Sequence, residues 1–137
     1  MAISTPNIES LQAEVSAGQW FHLDPPRHLN LFSPQTLELM MQSLGFRLLE
    51  LRHFSLEQNP YGWLQSLMNL LDLPENHLYG LLKNTSLQRR QQLSIYQQGK
   101  TLLIAVSLLP HCLFLSLAMS LSKRGGTIEA YFRLEDL

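Results

Sequence analysis

A chain of 137 residues is enough for one domain or part of one. Apolar residues make up 45% and charged residues only 15%, against a usual charged share of about 25%, so there is material for a core and for an apolar surface besides. The net charge of −1 excludes an acidic tail and a strongly basic nucleic-acid binder.

Ile3-Ser-Thr-Pro6-Asn7 reads as a short extended piece stopped by a Pro-Asn turn signal. The segment "QWFHLDPPRHLNLFSP" (19–34) follows, too polar for a core strand and too aromatic for a solvated linker. Ser33-Pro34 is an N-cap and first helical residue. Leu37, Met40, Met41 and Leu44 then share one face of a helix over 34–44, which Gly45 ends.

Residues 46–54 alternate imperfectly but suit a strand, and with the first strand and helix they imply a parallel pair joined by a right-handed crossover. Asn59-Pro60 opens a further helix with the stripe Trp63, Leu64, Leu67, Met68 and Leu71, stopped at Pro74. A helical piece spans 75–84, and the Gln-rich stretch 85–99 reads as an exposed connector or a polar helix.

Thr101 to Ser122 carries no charge and is long enough to span a bilayer. Pro110 at its midpoint favours a helical hairpin, packed on the domain or dipping into one leaflet. Lys123–Gly126 is a turn. Residues 127–133 alternate cleanly as a half-buried strand, with Ile128, Ala130 and Phe132 on one face. Three strands are few for an α/β sheet, and the chain reads as an edge in need of the rest.

Charge is unevenly spread. Residues 76–128 hold Lys83, Arg89, Arg90, Lys100, Lys123 and Arg124 with no Asp or Glu. A stretch both basic and apolar fits an anionic membrane surface as partner, met through 100–124, or else a solvated face. Nucleic acid is not expected, because no aromatics interleave with Arg89-Arg90. The lone Cys112 excludes an internal disulfide and reads as a small buried hydrophobe. The first eleven residues have no basic start and no apolar block, so a cytoplasmic location is expected, peripheral on the inner face of a membrane.

His22, Asp24 and His28 form H-x-D-x3-H. The pattern is open to three readings: a general base or acceptor contact, a metal site, or a loop bonding its own backbone. Arg27 offers a planar fork for a carboxylate or phosphate. Trp20, Phe21 and Phe32 suit either a pocket wall or core. Tyr61, Trp63 and Tyr79 suit a lid over an active site or plain packing. His53, His77 and His111 are scattered and carry no assigned role.

Ile3-Ser-Thr-Pro-Asn7, Trp20, Asp24-Pro-Pro-Arg-His-Leu29, Phe32-Ser33, the helix, Gly45-Phe46 and Gly125-Gly-Thr-Ile-Glu-Ala-Tyr131 together resemble the C-terminal half of a class I S-adenosylmethionine-dependent methyltransferase, of the small-molecule group. The resemblance implies strands five to seven of a Rossmann-like seven-stranded sheet. It makes 1–54 and 123–137 a partial α/β domain and 55–122 a helical, apolar insertion before the antiparallel last strand. The loop 19–34 then becomes the acceptor wall of a cleft, with His28 and Arg27 catalytic and Trp20, His22 and Asp24 binding a small-molecule acceptor.

The cofactor of an intact relative is S-adenosylmethionine, but none is expected to bind this chain alone, because no glycines cluster as GxGxG. The expected partner is the missing N-terminal half or another subunit. The competing class is a non-enzymatic membrane-associated or interaction module derived from that fold.

Overall fold

A computed structural model describes residues 1–24, 28–71, 73, 76–82 and 94–135. The elements are β1 (Ala2–Pro6), α1 (Leu11–Ser16), 3-10 turns at Ala17–Gln19 and Phe21–Leu23, α2 (Pro34–Ser43), β2 (Phe46–Arg52), α3 (Gln58–Leu70), α4 (His77–Leu82), α5 (Ile95–Leu121) and β3 (Thr127–Leu134). They form a mixed α/β structure around one three-stranded antiparallel sheet.

The strand order is β1-β3-β2, so the expected direct pairing of β1 with β2 does not form. β3 lies between them and runs antiparallel to both. Its alternation explains its place: Ile128, Ala130 and Phe132 are buried and meet Leu37 and Met41 of α2. The uneven pattern of β2 has a local cause. Leu48 pairs with Phe132 and Glu50 with Tyr131, so Leu49 is extra and bulges. Leu48 and Leu51 thereby stay on the core side, with Leu49 and Glu50 exposed between them.

Met1 and Phe132 exchange backbone hydrogen bonds of 2.7 and 2.8 Å, and Asn7 N–H donates to the Gly126 carbonyl at 3.0 Å. By alternation, Ala2 and Ser4 turn their backbone groups to the other edge. Among the described residues no strand pairs with that edge.

Ser33 caps α2 by accepting from Thr36 N–H at 3.1 Å, and Thr36 returns the bond to complete a capping box. Gly45, at φ +81, ends the helix as its sequence position predicts. The short α1 and the two 3-10 turns are not foreseen. Helix α1 buries Gln12, Ala13 and Ser16, which are polar or small, so it carries no apolar stripe for periodicity to reveal.

A second core joins Trp63, Leu64 and Met68 of α3, Leu78 of α4, and Ala105 and Cys112 of α5. The helix expected over 75–84 is described over His77–Leu82. Pro74, the ends of that span and residues 85–93 of the expected connector lie outside the described residues. Residues 95–99, for which the sequence allowed a connector or a polar helix, are helical and form the first turns of α5, with Ser94 and Gln97 as a capping box.

The expected hairpin at Pro110 is overturned, because α5 runs unbroken from Ile95 to Leu121. Pro110 costs one hydrogen bond to a carbonyl four residues back. It lies on the exposed side, while Thr101 and Ala105 before it and Cys112 and Ser116 after it are all buried along one face. Packing on both sides of the proline holds the axis through it.

The end of α5 is a Schellman turn. Lys123 N–H donates to Ser120 O and Arg124 N–H to Met119 O, with Lys123 at φ +58.

Candidate functional site

Beyond the carboxyl end of β1, the chain turns through Asn7, caps α1 with Ser10 and returns through the Phe21–Leu23 turn. Asn7 fixes the exit: its side chain donates to the Gly125 carbonyl and accepts from Glu9 N–H. The Phe21 N–H donates to Ser66 Oγ of α3 at 3.0 Å, which ties the loop to the helical layer.

Between them opens a cleft of about 490 Å³ lined by Phe21, His22, Asp24, His28, Glu57, Gln58, Tyr61, Tyr79 and Leu82. A second hollow of about 240 Å³ shares His22, His28 and Gln58 and reaches Thr5, Pro6 and Thr127 at the sheet.

One wall is aromatic. Phe21 meets Tyr61 edge-on at 5.2 Å and Tyr79 at 5.5 Å between ring centres. Burial raises the Tyr61 hydroxyl well above the usual phenol range, so it stays a neutral donor, and among the described residues it has no hydrogen-bond partner. Thr127 Oγ1, in the smaller hollow, is likewise buried without a partner among the described residues.

The expected histidines adjoin this wall, with His22 5.3 Å from Phe21 between ring centres. Burial first, and the neighbouring His28 second, push His22 down to about 4, against a smaller opposite pull from Asp24. It is therefore neutral near pH 7. Its Nε2 faces Gly62, where a Cβ would lie 2.6 Å away. His28 is exposed and lines both hollows, so it is the imidazole with access to a bound molecule.

The structure thus brings His22, Asp24 and His28 to one cleft. Trp20 lies elsewhere: it is 3% exposed and donates its indole N–H to Gln12 Oε1 at 2.9 Å. Arg27 lies outside the described residues. Glu57 and Gln58 were not foreseen. They sit at the start of α3, one to two residues before the Asn59-Pro60 pair that signals the helix in sequence. Phe21, Tyr61 and Tyr79, which suited either pocket or packing, line the cleft.

Among the described residues no three His, Cys, Asp or Glu side chains gather as a metal site. At the paired glycines Gly125 and Gly126, added Cβ atoms would clash with the His53 carbonyl and lie 2.8 Å from Gln12 Oε1. Those glycines serve close packing of this chain on itself. Compared with protein-family models, curated proteins and solved structures, the chain matches none.

Proposed function

We propose that the chain forms the acceptor side of a small-molecule methyltransferase, working with a separate cofactor-binding unit supplied by an N-terminal half of the fold or by another subunit. The observation that carries this reading is the cleft past the carboxyl end of β1, where His22, Asp24 and His28 meet the aromatic wall. The last strand running antiparallel to its neighbours, and an outer edge of β1 that no strand among the described residues pairs with, support strands five to seven of a larger sheet.

The chemistry asked of this chain is modest. Phe21, Tyr61 and Tyr79 hold the acceptor and exclude water. Glu57, Gln58 and Asp24 orient its polar group. His28 takes the proton from the acceptor oxygen or nitrogen. The neutral His22 packs behind and keeps the wall in place.

The test is methyl incorporation from labelled S-adenosylmethionine into a small-molecule extract. The protein is the chain joined to the polypeptide encoded immediately upstream. Transfer is expected, and His28→Ala should lower it by roughly 10-fold or more. No transfer by the joined protein, or an unchanged rate in the variant, overturns the assignment.

A second reading, a non-enzymatic membrane module of the same fold, is favoured by the long apolar surface of α5. Either way we place the protein peripherally on the inner face of a membrane.

A further inference from the structure

Helix α5 is packed on one side and apolar on the other. Thr101, Ala105, Cys112 and Ser116 are buried along one stripe against α3 and α4. On a wheel of about 100° per residue, Leu103, Val106, Leu109, Phe114, Leu117 and Leu121 fill an arc of roughly 140° on the far side. Leu103 is 69%, Phe114 70% and Leu121 87% exposed. The arc runs about 27 Å along the helix. No charged residue interrupts it between Lys100 and Lys123.

We propose that α5 docks this protein onto an anionic lipid leaflet, lying in the plane of the leaflet rather than across it. The surface does not depend on methyl transfer. Three observations choose lipid as the occupant. The arc is broader than the narrow seam by which one helix pairs with another. Exposed Lys100 and Lys123 bracket it, where headgroups would lie. Residues 76–128 hold six Lys or Arg and no Asp or Glu; of these, Arg124 is neutralised by Glu14 of α1, and Lys100 and Lys123 are exposed beside the arc.

The packing sets the orientation. At one end Thr101 Oγ1 meets His77 Nδ1 of α4 at 3.1 Å, and just past the other Arg124 pairs with Glu14 of α1. Between them α5 lies along α3, whose Gln65 and Asn69 form a polar network with Asn76. A spanning α5 would carry that layer and the Glu14 pair into hydrocarbon, where unpaired polar groups find no water. With the helix in plane, the outer arc enters the boundary by some 5–10 Å and the protein body stays in water.

The test uses the native chain and phosphatidylcholine vesicles with or without phosphatidylglycerol. The chain should float with the anionic vesicles and less with the neutral ones, and salt should weaken binding. Lys100→Gln with Lys123→Gln should lower affinity by roughly 25-fold, about fivefold for each cation. Phe114→Asp and Val106→Asp, both at exposed positions, should lower it by at least roughly tenfold with the far-UV spectrum unchanged. Fluorescent labels at Leu103→Cys, Phe114→Cys and Leu121→Cys should be quenched at one common shallow depth.

A deep Phe114 label between two shallow ones would show a span and overturn the in-plane docking. A native chain that ignores both kinds of vesicle, as a monomer or as a dimer closed over this face, would overturn the lipid assignment.

Discussion

The indole N–H of Trp20 donates to Gln12 Oε1 at 2.9 Å, in a site where Gln12 is fully buried and also donates to the Asn59 carbonyl at 3.3 Å. This bond joins the loop after β1 to α1 and, through Gln12, to α3. It makes Trp20 a strut behind the cleft wall. Trp20→Phe keeps most of the apolar volume but strands a buried amide oxygen. Such a loss costs about 1–3 kcal/mol. Urea unfolding should show that drop. Unchanged stability would mean that water or another donor reaches Gln12.

Gly62 is the contact that lets His22 and Gln12 approach α3. A Cβ there would lie 2.6 Å from His22 Nε2 and 2.7 Å from Gln12 Oε1. Both neighbours are buried and held, so neither can yield cheaply. Gly62→Ala gains helix propensity of roughly 1 kcal/mol, yet overpacking typically costs about 1–3 kcal/mol. Net destabilisation is expected, with the His22 imidazole displaced in NMR spectra. A more stable variant with an unshifted His22 would show that the helix and loop have room to part.

What could be read from sequence follows the physics of each segment. The α2 boundaries and the faces of β3 were legible because capping and alternation are local rules: Ser33 caps, Gly45 stops, and Ile128, Ala130 and Phe132 point inward. The insertion of β3 between β1 and β2 was not legible, because pairing partners are set by tertiary contacts and not by a strand's own pattern.

Pro110 misled for a related reason. Proline breaks a helix only when nothing else holds it, and here Ala105 and Cys112 are anchored on either side. At the site, the histidines of the loop were visible as a cluster, while Glu57 and Gln58 join it only through the fold. Trp20 was misplaced because an aromatic beside a polar loop reads the same whether it lines a pocket or braces one.

Stability should fall with acid in a window set by His22. The folded chain lowers this imidazole from 6.5 to about 4, mainly by burial, so the unfolded chain binds the proton more readily. Its contribution is complete above pH 6.5 and is lost progressively as pH falls toward 4. The full step is roughly 3 kcal/mol at about 1.4 kcal/mol per pKa unit. His53 and His77, also lowered chiefly by burial, add in the same direction. Denaturant midpoints across this range should show the loss, and His22→Gln should shrink it. A flat profile in the native chain would mean that the imidazole reaches solvent.

Lys123 occupies the position past α5 where the backbone is left-handed, at φ +58. The two closing bonds of the Schellman turn, to Ser120 and Met119, require that conformation. Glycine adopts it without the crowding that a Cβ brings. Lys123→Gly should therefore stabilise the free protein by about 0.5–1 kcal/mol, read as a higher urea midpoint without lipid. The same change removes one of the two cations that bracket the apolar arc, so binding to anionic vesicles should weaken by roughly fivefold. The two effects have opposite signs and separate origins, one in backbone geometry and one in charge. A variant that loses stability would place the turn in another conformation. One that gains stability and binds anionic vesicles undiminished would take Lys123 out of the docking surface and leave that role to the remaining cations.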